Sequence, residues 1–270
     1  MATKEQVTKA LATGQNGTLD AQPTVPALMD RDDIRKRFRE VLGDKSAGFV
    51  TSVISATKAN PALLACDPMS VISSAMVAAT LDLPVNASLG FAHIVPYKGK
   101  AQFQLGWKGF VQLAIRTGQY KTMNTAEVYE GELIRWNRIT AEIELDTERR
   151  SSDKIVGFVA FFRTLNGFEK YLYMTVDQVD AHAKKYSQSY GYDLRENKKA
   201  SKWSTDFPAM AMKTVLKLLL SKYGILSVEM QKALRVDQAV IDQQGEPETY
   251  PDSIPAENLD QTPAGDAQEV

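Results

Sequence analysis

Cysteine occurs once in the 270 residues and histidine twice. A single thiol excludes an internal disulfide and a cysteine-built metal cage. Its place in the apolar run PALLACDPM points to a reduced, packed side chain. His93 and His182 lie far apart in the chain without metal-ligand spacing, and each is expected to be an ordinary half-buried side chain. No apolar run approaches the length of a membrane-spanning helix. The opening MATKEQVTKALATGQNG lacks the apolar segment of a signal peptide, so a cytoplasmic location is expected, with no membrane partner. No GxxxxGK[ST] occurs, which argues against a phosphate-cradling P-loop and ATP-driven motion. The Gly106-Trp107-Lys108-Gly109 run is too short for a dinucleotide fingerprint. No cofactor, metal or catalytic residue is expected.

Two further absences concern charge. The formal net charge of −1 hides a segregation. After Arg235 there is no Lys or Arg, while nine acids follow, from Asp237 to Glu269. The 24 acids that remain upstream face all 32 bases, leaving residues 1–235 at +8. A body of that sign attracts polyanions. The second absence runs from Leu83 to Ala126, where no Asp or Glu occurs although composition alone would place about five there. Solvated faces normally mix both signs, so an unopposed basic stretch points to polyanion binding over a merely soluble surface.

What is present reads as three segments. Residues 1–29, rich in Thr, Gln, Gly, Ala and Pro, are expected to form a flexible arm, 30–236 a single folded core, and 237–270 an acidic disordered tail. Within the core, helical spacing marks 30–42 and 46–59, and Asp67-Pro68 opens a further apolar helix. Residues 90–96 and 101–105 read as strands around the Tyr97-to-Lys100 turn, with Gln102 and Gln104 on a polar face opposite Phe103 and Leu105. From Trp107 the period becomes helical. Trp107, Phe110, Val111, Ala114 and Ile115 define an apolar face, and Lys108, Gln112 and Arg116 the opposite one. Asn166-Gly167 joins two strands in a hairpin. Residues 176–186 and 203–226 read as helices, 227–240 as a last one, and the polar, Tyr- and Lys-bearing stretch 186–203 as a surface loop or one ordered on binding. Hairpins and helices without strand-helix-strand alternation indicate an α+β class: antiparallel hairpins and a small sheet packed with helices.

Two constellations carry candidate chemistry. The acid-free window holds Lys98, Lys100, Lys108, Arg116 and Lys121, with Tyr97 at the hairpin tip as a ring on which a base could stack. Residues 184–222 hold nine bases against three acids. Lys213 and Lys217 are one helical turn apart without an acid at helical spacing, which reads as an unpaired stripe suited to phosphates. Lys198, Lys199 and Lys202 precede it, interleaved with Tyr186, Tyr190, Tyr192 and Trp203. A competing reading is a metal-dependent nuclease built on Glu127, Glu130, Glu132, Glu142, Glu144, Asp146 and Glu148, but alternation along strands favours a solvated face.

The run LDLPVNASLGFAHIVPYKGKAQFQLGWKGFVQLAIRTGQYKTMNTAEVYEGE, followed by WSTDFPAMAMKTVLKLLLSKYG, resembles the RecT family of phage-type single-strand annealing recombinases. NPALLACDPMSVISSAMVAATLDL upstream is similar to that family's leading helical region. The resemblance covers roughly residues 30–235. It implies a non-enzymatic protein that binds single-stranded DNA, anneals it to its complement without ATP, and holds the annealed duplex. It also implies homo-oligomeric rings or helical filaments, a partner exonuclease and, further, the host single-strand binding protein. The basic residues in the matching motifs are Lys98, Lys100, Lys108, Arg116, Lys121, Lys213 and Lys217. Tyr97, Gln104, Gln112, Lys198, Lys199 and Lys202 complete the expected DNA-binding set. Trp107 stands where many members carry tyrosine. A passive single-strand binding protein is the alternative within the same chemistry.

Overall fold

The computed structural model describes residues 23–225, 227–242 and 246–249. Among the described residues five α-helices come first: α1 (Val25–Met29), α2 (Asp32–Leu42), α3 (Ser46–Ala59), α4 (Pro61–Leu64) and α5 (Pro68–Thr80). The start of α5 shows why the chain turns there. The Asp67 carboxylate accepts from the Met69 and Ser70 amides at 3.2 Å, and Pro68 occupies a first-turn position that needs no N–H. Val71, Ile72, Ala75, Val77, Ala78 and Ala79 are all buried, so α5 is a core helix, packed against α1, α2 and the strand that follows the first hairpin turn.

That hairpin consists of β1 (Ala92–Tyr97) and β2 (Lys100–Leu105), paired antiparallel from Ala92 opposite Leu105 to Tyr97 opposite Lys100. Lys98 and Gly99 form its turn with φ of 45° and 79°, the pair of positive values that matches strand twist in a two-residue connection. The Gly99 carbonyl accepts from Asp67 N at 2.7 Å, tying the tip to the start of α5. Next comes α6 (Trp107–Arg116). A Cβ on Gly106 would lie 2.0 Å from the Gly90 carbonyl oxygen and one on Gly109 2.2 Å from that of Phe91, so only glycine lets the start of α6 seat on this backbone.

A second sheet has the order β3 (Tyr120–Tyr129), β6 (Ile155–Thr164), β7 (Glu169–Thr175), all antiparallel. Between β3 and β6 lies a separate hairpin, β4 (Leu133–Asn137) and β5 (Glu142–Leu145), whose Trp136 meets Tyr173 of β7 edge-on at 6.0 Å. Then follow α7 (Val176–Tyr186), α8 (Gln188–Glu196), α9 (Lys202–Thr205), α10 (Phe207–Tyr223) and α11 (Val228–Val236). α10 lies across β6, β7 and β3, burying Ala211, Val215, Leu216, Leu219 and Leu220. β8 (Ala239–Ile241) joins the first sheet beside β2, and β9 (Pro247–Thr249) pairs with β8.

The α+β expectation holds, and so do the Asp67-Pro68 start and the Asn166-Gly167 turn. Three expectations need correction. The fold begins before residue 30: Val25, Leu28 and Met29 are buried in α1. It also continues past 236, because Asp237 is buried and Ala239, Val240 and Ile241 are buried and strand-paired where a tail and the end of a helix were expected. The rest of the expected arm (1–22) and tail (250–270) lies outside the described residues. Finally, 186–203 is largely helical, since Ser187 caps the Tyr190 amide at 3.2 Å and Asn197 ends α8 in the left-handed conformation. Among the described residues no helix is long and apolar enough to cross a membrane.

Candidate nucleic-acid interface

Side chains alternate across a strand, so His93, Val95 and Tyr97 of β1 share one face with their partners Gln104, Gln102 and Lys100 of β2. Ala92, Ile94, Ala101, Phe103 and Leu105 are buried in the core. The polar face looks toward the α8–α10 limb. Tyr97 donates its hydroxyl hydrogen to Gln188 Oε1 at the start of α8. The His93 pKa is pushed down by burial and by the positive charges of Lys213 and Lys202. Gln104 stands opposite His93, and Lys202 of α9 and Lys213 of α10 bring positive charge to the same imidazole, while Tyr97 and Lys100 pair at the turn end of that face, with the Lys98 ammonium 5.2 Å from the centre of the Tyr97 ring. Gln102 departs from expectation: it is buried, donating to the Gln238 carbonyl, so only part of the strand's polar face is open.

The Lys213–Lys217 stripe is not unpaired. Asp237, with a side-chain exposure of 0%, sits 2.7 Å from Lys217 Nζ and 3.9 Å from Lys213 Nζ, and its Oδ1 also accepts from Leu105 N at 2.8 Å. Lys213 is itself only 12% exposed. Burial lowers the Lys213 pKa and Lys217 adds to that, against the pull of Asp237. The Asp237 carboxyl, although burial opposes its charge, is held below the usual range by the two lysines. Both lysines are therefore structural partners of the segment that leads into β8. Lys217 also acts beyond the pair: burial first, and then the charges of Lys217 and Lys185, push His182 down to about 4.

A second buried carboxylate shapes the neighbouring turn. Asp193 accepts from Ala200 N at 3.1 Å, Ser201 N at 2.8 Å and Ser204 Oγ at 2.6 Å. Burial opposes its charge, but these hydrogen bonds win, bringing its pKa to about 2. The turn 197–201 is thereby held closed, with Lys198 and Lys199 exposed on it and Lys202 exposed just beyond. Lys198 reaches back to the Tyr192 hydroxyl at 2.9 Å. Tyr190 and Trp203 are packing residues: Tyr190 donates to Asp180 at 2.7 Å and lies 6.0 Å from Trp203, which is buried against Phe207.

On α6 the inward residues are Gly109, Phe110, Leu113 and Ala114. Trp107 and Ile115, expected to pack inward, are exposed. Lys108 is exposed and its Cδ lies 3.6 Å from where a Gly90 Cβ would be, while Gln112 is half-buried. Arg116 is committed elsewhere, donating to the Leu81 and Asp82 carbonyls at 2.7 Å and so closing the end of α5. Lys121 is exposed near the start of β3.

A model of the RecT family matches residues 47–251. The chain belongs to the RecT family. It is 49% identical over 256 residues to the uncharacterized protein YqaK of Bacillus subtilis, covering 92% of this chain and 85% of that one. Protein RecT of Escherichia coli is 29% identical over 190 residues, 66% of each chain. The RecT match takes in every residue of the expected DNA-binding set, from Tyr97 to Lys217, and also Asp237 and β8, which the expected boundary at 236 excluded. Sequence reasoning missed His93, Gln102, Asp193 and Asp237. The Ser187 and Asn197 caps were the available signal for the frame around Asp193, whereas nothing along the chain links Asp237 to lysines 20 and 24 residues earlier.

Several acids of this RecT-family chain between 127 and 148 have separate structural partners. Glu132 is buried and accepts from Tyr129 N at 2.9 Å, Glu130 faces Ser152 and Lys154, and Asp146 accepts from Glu148 N at 3.0 Å. Among the described residues no group of three or more His, Cys, Asp or Glu side chains could hold a metal ion.

Proposed function

We propose that this protein binds single-stranded DNA and anneals complementary strands without ATP, acting in recombination as a non-catalytic coat. RecT-family membership supports single-strand annealing recombination in general terms. The observation that carries the finer reading is the hairpin face of Tyr97, Lys100 and Gln104, with Lys202 bringing positive charge to His93 on the same face. The nearby buried carboxylates, Asp193 and Asp237, spend their oxygens on internal partners. Phosphates approaching that face meet lysine charge while both carboxylates are already neutralised or hydrogen-bonded.

Tyr97, Lys98, Lys100, Gln104, Lys202, Lys198 and Lys199 form the primary DNA-binding set, and Lys108, Gln112 and Lys121 extend it. Lys213 and Lys217 contribute field more than contact, and Arg116 contributes structure. Pairing of two strands is downhill, with stacking worth roughly 1.4 kcal/mol per step, so the protein needs no fuel. Its work is to screen phosphate repulsion and concentrate the partners, which homo-oligomerisation into a ring or filament amplifies. An exonuclease that exposes single strands, and host single-strand binding protein, are the partners this activity calls for, in the cytoplasm.

The test mixes two complementary labelled oligonucleotides with the protein in EDTA and without ATP. Pairing should accelerate over buffer. Binding without acceleration would instead establish a passive single-strand binder, and cleavage appearing with Mg²⁺ and lost in Glu144→Ala would establish a nuclease.

A further inference from the structure

Trp107 is 46% exposed, although it opens a helix whose other large aromatic, Phe110, is completely buried. Its backbone is fixed on both sides. Gly106 N donates to the Phe91 carbonyl at 2.8 Å, Phe110 N donates to the Gly106 carbonyl at 3.2 Å, and Gly106 and Gly109 lie against the 90–91 backbone too closely for any side chain. Among the described residues no other aromatic ring lies against the indole, whereas Trp136 and Trp203 both pack on neighbouring rings. An indole held open on a rigid mount presents a flat apolar face that a ligand can cover.

Its surroundings indicate what does. Lys108 is the next residue and is exposed, and the chain from Leu83 to Ala126 contains no acid. A protein partner would ordinarily find mixed charge around an apolar anchor; an unopposed lysine beside an open ring suits a base flanked by its phosphate. Resting on the single-strand binding reading above, we infer that Trp107 stacks on an unpaired base and gives this chain its preference for single-stranded over duplex DNA. In a duplex both faces of an internal base are already occupied, so the ring finds a partner only on an unpaired or extended strand.

The test titrates the full chain with oligo(dT), following tryptophan emission and, in parallel, the anisotropy of a labelled oligonucleotide. Trp107 emission should be quenched in step with binding, and Trp107→Phe should abolish most of that quenching while keeping most of the affinity. Trp107→Ala should weaken single-strand binding roughly 5- to 100-fold, with duplex affinity nearly unchanged and the thermal unfolding midpoint preserved. Binding seen by anisotropy with Trp107 emission unmoved, or full affinity in folded Trp107→Ala, would overturn the inference. Emission that responds to protein dilution but not to DNA would also overturn it, assigning the ring to a contact between copies. Absence of any anisotropy change would overturn the binding reading itself, and the stacking role with it.

Discussion

Lys108 on α6 and Lys213 on α10 sit on helices of one molecule, and neither has an acid three or four residues away along the chain. Lys108 ends up in water, beside an exposed tryptophan and over the glycine at 90. Lys213 ends up inside, sharing the buried Asp237 carboxylate with Lys217. The local pattern is the same, but the acid that neutralises the second site arrives from the distant segment that leads into β8. Sparse charge pairing along a helix therefore says that phosphates could be met there, while the tertiary fold decides whether the lysine is available.

The contrast is broken most severely at Asp237. Asp237→Ala leaves two desolvated ammonium groups without their carboxylate and frees Leu105 N, and should cost about 3–5 kcal/mol in urea unfolding. A loss below about 1 kcal/mol would show that the lysines escape to solvent. Next is His182. Burial, and after it the charges of Lys217 and Lys185, hold its pKa at about 4 in the folded chain against an ordinary 6.5, so the native state resists the proton. The stability this contributes is fully present above pH 6.5 and lost as pH falls toward 4, by up to about 3 kcal/mol. The wild-type minus His182→Gln difference in unfolding free energy across that window measures it, free of the titration of carboxylates common to both.

Lys213→Met should be gentler, changing stability by about 1 kcal/mol or less, because it removes a cation already opposed by burial and by Lys217 while leaving the closer Lys217–Asp237 pair. The smallest effect on stability belongs to Lys108→Ala, within about 0.5 kcal/mol. That variant should instead lower the salt dependence of single-strand binding by about 0.7 in log–log slope, one phosphate contact's worth. If Lys213→Met lowers the slope equally, the two lysines are functionally alike and the contrast fails.

Much of the scaffold was legible because its signals are local. Helix 46–59 and the helix over 176–186 follow from apolar spacing, and Asp67-Pro68 and Asn166-Gly167 are capping and turn chemistry readable within four residues. The site was legible in composition and less so in arrangement. The apolar arc of α6 is wider than the sector the core accepts, so Trp107 and Ile115 spill outward. Polar α8 is stabilised by caps and by the buried Asp193 more than by an apolar stripe, and periodicity therefore passes over it. The boundary at 236 was drawn where basic residues stop, but Val240 and Ile241 are held by pairing with strands that composition does not reveal.

The late position of β8 also has a consequence for how the protein folds. Asp237 meets Leu105 across 132 residues of chain. Closing a loop of that length costs more chain entropy than any hairpin in the fold, so the contact that completes the first sheet is expected to form after the local turns are in place.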